Sequence, residues 1–144
     1  RPGAQVLLQY YQFLRLGRDG YRAVQQGSID VATYLSSEIA KLAPFDLVSK
    51  GDTIPVFAWK LKKGERNWDL YDLADRLRMR GWLVPAYPMP DDMADLVVQR
   101  IVVRLGLSRD LAEQLLDAIK EEVDFLENLD ARIPREKERT SFSH

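Results

Sequence analysis

From Pro2 to Leu42 apolar side chains recur at three- and four-residue spacing, through Val6, Tyr10, Phe13, Leu14, Tyr21 and Val24 and on to Val31, Leu35, Ile39 and Leu42. A helix gathers residues at that period onto one face, so the segment is predicted to be one long helix or two stacked ones. Pro2 suits a first helical turn. Gly17, Gly20 and Gly27 each weaken a helix by about 1 kcal/mol relative to alanine, and a break is expected near Gly27. A small domain cannot cover so long an apolar stripe, so the first half of the helix is expected to lie against something outside this chain.

Beyond Pro44 the period shortens to two. Phe45 to Val48 and Val56 to Leu61 read as the strands of a hairpin, separated by the turn-rich stretch Ser49 to Pro55. In the second strand Phe57, Trp59 and Leu61 form a bulky face that should meet helices. Asp69 can accept N–H groups of a first helical turn, and Leu70, Leu73, Ala74 and Leu77 mark a helix that stops at Gly81. Leu83 to Tyr87 resembles a short strand beside a loop holding Pro85, Pro88 and Pro90. Leu96 to Leu105 reads as the strongest strand, with Ile101, Val103 and Leu105 on one face and Arg100, Val102 and Arg104 on the other; strand geometry sets the two arginines about 7 Å apart. Ser108 then caps a helix carrying Leu111, Leu115, Ile119, Val123 and Leu126. The order defines an α+β chain: a helix over 1–27, a small α+β domain over 28–129 with a mostly antiparallel sheet, and a charged tail over 130–144 expected to be mobile.

Charge narrows the range of partners. Twenty-one basic residues against 22 acidic ones leave a formal charge of -1, which gives no global attraction to nucleic acid or anionic lipid. No apolar run approaches the roughly 18 residues of a membrane span. Without cysteine, and with His144 as the only histidine, disulfides, thiolate metal sites and histidine-rich metal sites are excluded. The 46% hydrophobic content over 144 residues suits one compact unit. The chain opens on Arg1 and passes at once into helical patterning, so the natural polypeptide is expected to begin further upstream.

Several stretches resemble glutamate decarboxylases: Arg1 to Val6, Gln9 to Tyr21, Leu70 to Leu73, Arg76 to Tyr87 with its Arg80-Gly81-Trp82-Leu83-Val84-Pro85-Ala86 core, Val97 to Ile101, and the ending Ser141-Phe142-Ser143-His144. The resemblance covers essentially the entire chain. It implies a fold-type-I pyridoxal-phosphate enzyme, of which this chain is the carboxy-terminal small domain, joined through its long helix to a large domain that holds the cofactor. It further implies α-decarboxylation of L-glutamate to 4-aminobutyrate (GABA) and CO2, a cytoplasmic location, and a homo-oligomer at full length. Such enzymes hold pyridoxal 5'-phosphate on a lysine preceded by histidine. Lys41, Lys50, Lys60, Lys62, Lys63, Lys120 and Lys137 all lack that neighbour, so the chain alone is expected to be inactive.

Arg100 matches the family arginine that approaches the substrate α-carboxylate. Decarboxylation requires the breaking Cα–carboxylate bond to stand perpendicular to the cofactor ring, and a planar guanidinium fork fixes a carboxylate in one direction better than lysine does. Read without the resemblance, Arg100 is a solvated strand arginine or the partner of a helix carboxylate. His144 matches a histidine near the end of acid-adapted bacterial members that closes over the active site as pH rises, although in those proteins it is penultimate; the alternative is a solvated terminus. Trp82, Pro85 and Tyr87 read as core and turn residues. The run Arg76 to Arg80 reads as a solvated face paired with Asp69, Asp72 and Asp75 of its own helix. Two further functions remain open on sequence: an autonomous α+β regulatory or protein-binding module, and the same domain of another amino-acid decarboxylase.

Overall fold

The computed structural model describes residues 3–134. Among them are three α-helices and four strands: α1 (Ala4–Ile39), β1 (Phe45–Lys50), β2 (Val56–Leu61), α2 (Leu70–Met79), β3 (Ala86–Pro88), β4 (Val97–Val102) and α3 (Arg109–Glu127). The strands form one sheet in the order β1-β2-β4-β3, every neighbouring pair antiparallel. The α+β class predicted from the sequence is the class found.

The sheet has one covered face. Phe45, Phe57, Trp59, Ile101 and Val103 point into a core completed by Ala32, Leu35 and Ile39 of α1, Leu70, Leu73 and Leu77 of α2, and Leu115, Leu116 and Ile119 of α3. Trp59 is wholly inaccessible, with Phe57 stacked on it and Phe45 tilted against it, so the bulky face of β2 meets the helices as its alternation predicts. Gly51 (φ 74°) turns the chain after β1, where a Cβ would come within 3.2 Å of the Ala32 methyl. Glycine is thus required both by the backbone angle and by the approach of α1. Ser36 Oγ donates to the Lys50 carbonyl at 2.6 Å and fastens the same corner.

Local signals set the helix ends. Asp69 accepts from the Tyr71 and Asp72 N–H groups while the Asp72 carboxylate accepts from the Asp69 N–H, a reciprocal cap that starts α2. Gly81 (φ 86°) ends it, and Ser108 accepts from the Leu111 N–H to start α3. After α3, Leu129 and Ile133 lie against the core and Arg132 reaches Asp69 at 3.0 Å. The remainder of the predicted tail, 135–144, lies outside the described residues.

Several expected boundaries move. The bend in α1 is at Gly17 (φ 56°, ψ -168°), whereas Gly27 is helical. Packing explains the shift: the buried face of α1 begins at Ser28 and continues through Ala32, Leu35, Ser36 and Ile39, which holds the helix continuous there and leaves the bend to the uncovered part. β4 ends at Val102; Leu105 is 77% exposed, and Gly106 (φ 109°) turns the backbone toward the Ser108 cap. β3 begins at Ala86 rather than Leu83, because the Val84 carbonyl accepts from the Gln99 side chain (2.9 Å) instead of joining a ladder.

The first half of α1 stands uncovered. Val6 is 69% exposed and Phe13 59%, with Leu7, Leu8, Tyr10, Tyr11 and Leu14 similarly open. At about 100° per residue these seven side chains sweep roughly 220° of the helix, far wider than the stripe of a helix lying on one surface. The isolated chain is therefore expected to self-associate at micromolar concentration, as read by size-exclusion chromatography with light scattering. Replacing Val6, Tyr10 and Phe13 together by glutamate should return it to the mass of one chain; a monomeric starting chain would contradict this. No helix among the described residues is long and apolar enough to cross a membrane.

Candidate carboxylate-binding site

The sheet face turned away from the helices carries the candidate chemistry. Side chains of residues opposed across an antiparallel ladder share a face, so the pairings Asp46 with Lys60, Ala58 with Arg100, Val56 with Val102, and Tyr87 with Val98 define that face, on which Asp46, Arg100 and Val102 are exposed while Ala58 and Val98 are buried. Arg100 rises from it exposed, beside the small side chain of Ala58. Its guanidinium carbon lies 5.4 Å from the centre of the Tyr87 ring. None of the ion pairs among the described residues includes Arg100, which removes the reading of it as the partner of a helix carboxylate. Arg104, expected on the same face of the strand, lies past the end of β4 and is exposed.

The structure therefore holds an exposed cationic fork on a strand with a ring beside it. That arrangement suits an anionic planar group such as a carboxylate. His144, the other site residue expected from the sequence, lies outside the described residues.

Pyridoxal phosphate would need an enclosed lysine, and the described lysines do not fit. Lys41 and Lys120 pair with Glu38 and Asp117 within one turn of their own helices, Lys50, Lys62 and Lys63 are exposed, and Lys60 is half-buried on the open sheet face opposite Asp46. None of the described lysines is thus an enclosed attachment point.

A second charged cluster is structural. Glu122 of α3 is only 2% exposed and accepts from both Arg76 of α2 and Arg80 at its C-terminal cap, while Arg80 also reaches Glu121. Arg76 lies over the Phe125 ring at 3.8 Å. Burial pushes the Glu122 carboxyl up, but the hydrogen bonds and charges of the two arginines outweigh it and hold the group below the ordinary carboxylate range. Arg76 and Arg80 thus reach across to α3, where the sequence suggested pairing within α2. Only the packing of the two helices brings Glu122 to them. The register of β3 on β4 likewise sets Tyr87 beside Arg100, a placement that only the tertiary structure supplies.

The fold is the α+β small domain of fold-type-I enzymes, and a sphingosine-1-phosphate lyase from Burkholderia pseudomallei shares it at TM-score 0.71 and 20% identity, over 88% of this chain and 26% of that one. Sequence narrows the class. A glutamate decarboxylase from Aliivibrio fischeri is 50% identical over 87% of the chain and 27% of its own length, and the solved glutamate decarboxylase of Lactobacillus brevis is 41% identical at TM-score 0.86, over 90% of this chain and 30% of that one. As a segment, the chain belongs with the glutamate decarboxylases, and it spans about three-tenths of the relatives it matches. No protein-family model matches it.

Proposed function

We propose that this chain is the carboxy-terminal domain of a pyridoxal-phosphate-dependent glutamate decarboxylase that converts L-glutamate to 4-aminobutyrate and CO2, in a cytoplasmic homo-oligomer. Its chemical contribution is Arg100, which binds the substrate α-carboxylate and fixes its direction. The observation carrying this reading is the position of that guanidinium: exposed on the helix-free sheet face, without an ion pair among the described residues, and with its fork free to accept a carboxylate. The cofactor belongs to the large domain. The uncovered half of α1 docks on that domain, where its wide apolar arc is buried from more than one side.

Within this reading Arg100 orients the substrate. A grip on the departing carboxylate that was strongest in the ground state would slow its release, so the useful part of the interaction is direction and exclusion of alternative conformers. The full-length gene product, supplied with pyridoxal phosphate, should release CO2 from L-glutamate with 4-aminobutyrate as the amine product. Turnover of an aromatic amino acid with none of glutamate would assign the chain to another decarboxylase, and no turnover of any amino acid would return it to the class of binding modules.

A further inference from the structure

The open sheet face presents a cation that no carboxylate among the described residues holds in place. An arginine side chain free on a strand carries about 2 kcal/mol of rotamer entropy, which a substrate must overcome before the fork can direct it. Some neighbour has to limit that freedom if Arg100 is to orient anything. Tyr87 is the group placed to do so. It sits on β3 opposite Val98, so it shares the face of Arg100 and is its diagonal neighbour across the ladder. The 5.4 Å from guanidinium carbon to ring centre is within the roughly 6 Å over which a ring face attracts a cation.

The strand carrying Tyr87 is well fixed for an edge. Pro85 precedes it and Pro88 ends it, each with its φ locked by the pyrrolidine ring. Gln99, adjacent to Arg100 on β4 and wholly buried, donates through Nε2 to the Val84 carbonyl at 2.9 Å and pins the approach to β3 from the opposite face of the sheet. Thus β4 carries the guanidinium on one side and, one residue earlier, the amide that anchors the strand of the ring on the other.

We infer that Tyr87 is a positioning residue for the proposed decarboxylation: its ring holds the Arg100 guanidinium in place before substrate arrives. This inference rests on the reading of Arg100 given above. The chemistry explains why a ring serves here and an acid would not. An aspartate or glutamate at that point would occupy the fork with its own oxygens and compete with the substrate carboxylate. An aromatic face attracts the cation through its quadrupole while accepting none of the in-plane N–H groups, so the fork stays open to a carboxylate arriving at its edge.

The test uses the full-length protein and compares steady-state kinetics on L-glutamate for Tyr87→Leu, Tyr87→Phe and Arg100→Ala, with thermal unfolding alongside. Tyr87→Leu keeps an apolar side chain but removes the ring, so kcat should fall about tenfold. KM should change much less, because the positive charge that draws the carboxylate remains. Tyr87→Phe keeps the ring face and should stay within about twofold of the starting enzyme. If Tyr87→Leu proves poorly folded, Tyr87→Met supplies the same comparison. Active Arg100→Ala would remove the reading of Arg100 and this inference with it. An inactive Arg100→Ala beside a Tyr87→Leu (or Tyr87→Met) enzyme of normal kcat, or a Tyr87→Phe enzyme as impaired as Tyr87→Leu, would overturn the role of Tyr87 and leave Arg100 standing.

Discussion

Arg100→Ala in the full-length protein is expected to abolish most turnover of L-glutamate while leaving the fold intact. Two charge-assisted hydrogen bonds to a carboxylate in a dry site contribute about 2 to 4 kcal/mol, which corresponds to a loss of roughly 30- to 1,000-fold in rate. Stability should change little, since Arg100 is exposed and outside the core. Arg100→Lys gives the finer comparison. It keeps the charge but replaces a planar fork by a compact ammonium, so it should restore substrate affinity better than it restores kcat. Recovery of both to near the starting values would show that charge alone suffices and that direction is not what this residue supplies.

The second large effect is on stability and acts through Glu122. Its carboxylate is almost wholly buried between two partly exposed arginines, and Glu122→Gln removes the charge that both of them face. Breaking a buried pair on one side costs several kcal/mol when the survivor stays buried. Here Arg76 and Arg80 can recover some water, so a loss of about 2 kcal/mol is expected, a fall of roughly 8 °C in Tm for a domain of this size. The sign with pH follows from the lowered carboxyl. A group whose proton affinity is depressed by folding contributes its full stability above the unfolded value near about 4.3 and loses it as pH falls through the lower folded value. The starting protein should therefore lose stability on acidification in that window more steeply than Glu122→Gln. Parallel curves for the two proteins, from chemical denaturation at a series of pH values, would mean that the cluster carries no such linkage.

Much of the fold was legible because its signals are local. The Asp69 cap, the glycine at Gly81 and the Ser108 cap place the start of α2, its end and the start of α3 from a few adjacent residues. The alternation of Phe57, Trp59 and Leu61 assigned the covered face of β2 with no knowledge of what covers it. Strand ends were less legible. β1 runs on to Lys50 through an irregularity between Leu47 and Ser49, and β4 stops at Val102. Both depend on how long a neighbouring strand continues, and Leu105 has the same apolar character whether or not a partner lies beside it.

The candidate site divides in the same way. Arg100 was found by its resemblance to a family arginine, and period two set it opposite the core-facing Ile101. Neither signal pointed to Tyr87, because the twelve residues of chain between it and Arg100 give no register, and the pairing of Tyr87 with Val98 exists only once β3 is laid against β4. Glu122 was hidden for a similar reason: in the sequence it is one acid among several on an amphipathic helix, and its burial comes from α2 lying across it.

Sequence by itself determined the class of the fold, the faces of its strands and the capped helix ends, because each follows from residues within a turn or a strand of one another, whereas Arg100 was singled out by its resemblance to a family arginine. Tertiary structure alone decided that α1 bends at Gly17 and not at Gly27, that Arg76 and Arg80 share one buried glutamate of α3, and that a tyrosine ring lies beside Arg100. Those facts depend on which surfaces meet, and the free energy that selects a meeting of surfaces is spread over the whole core rather than encoded at any one position.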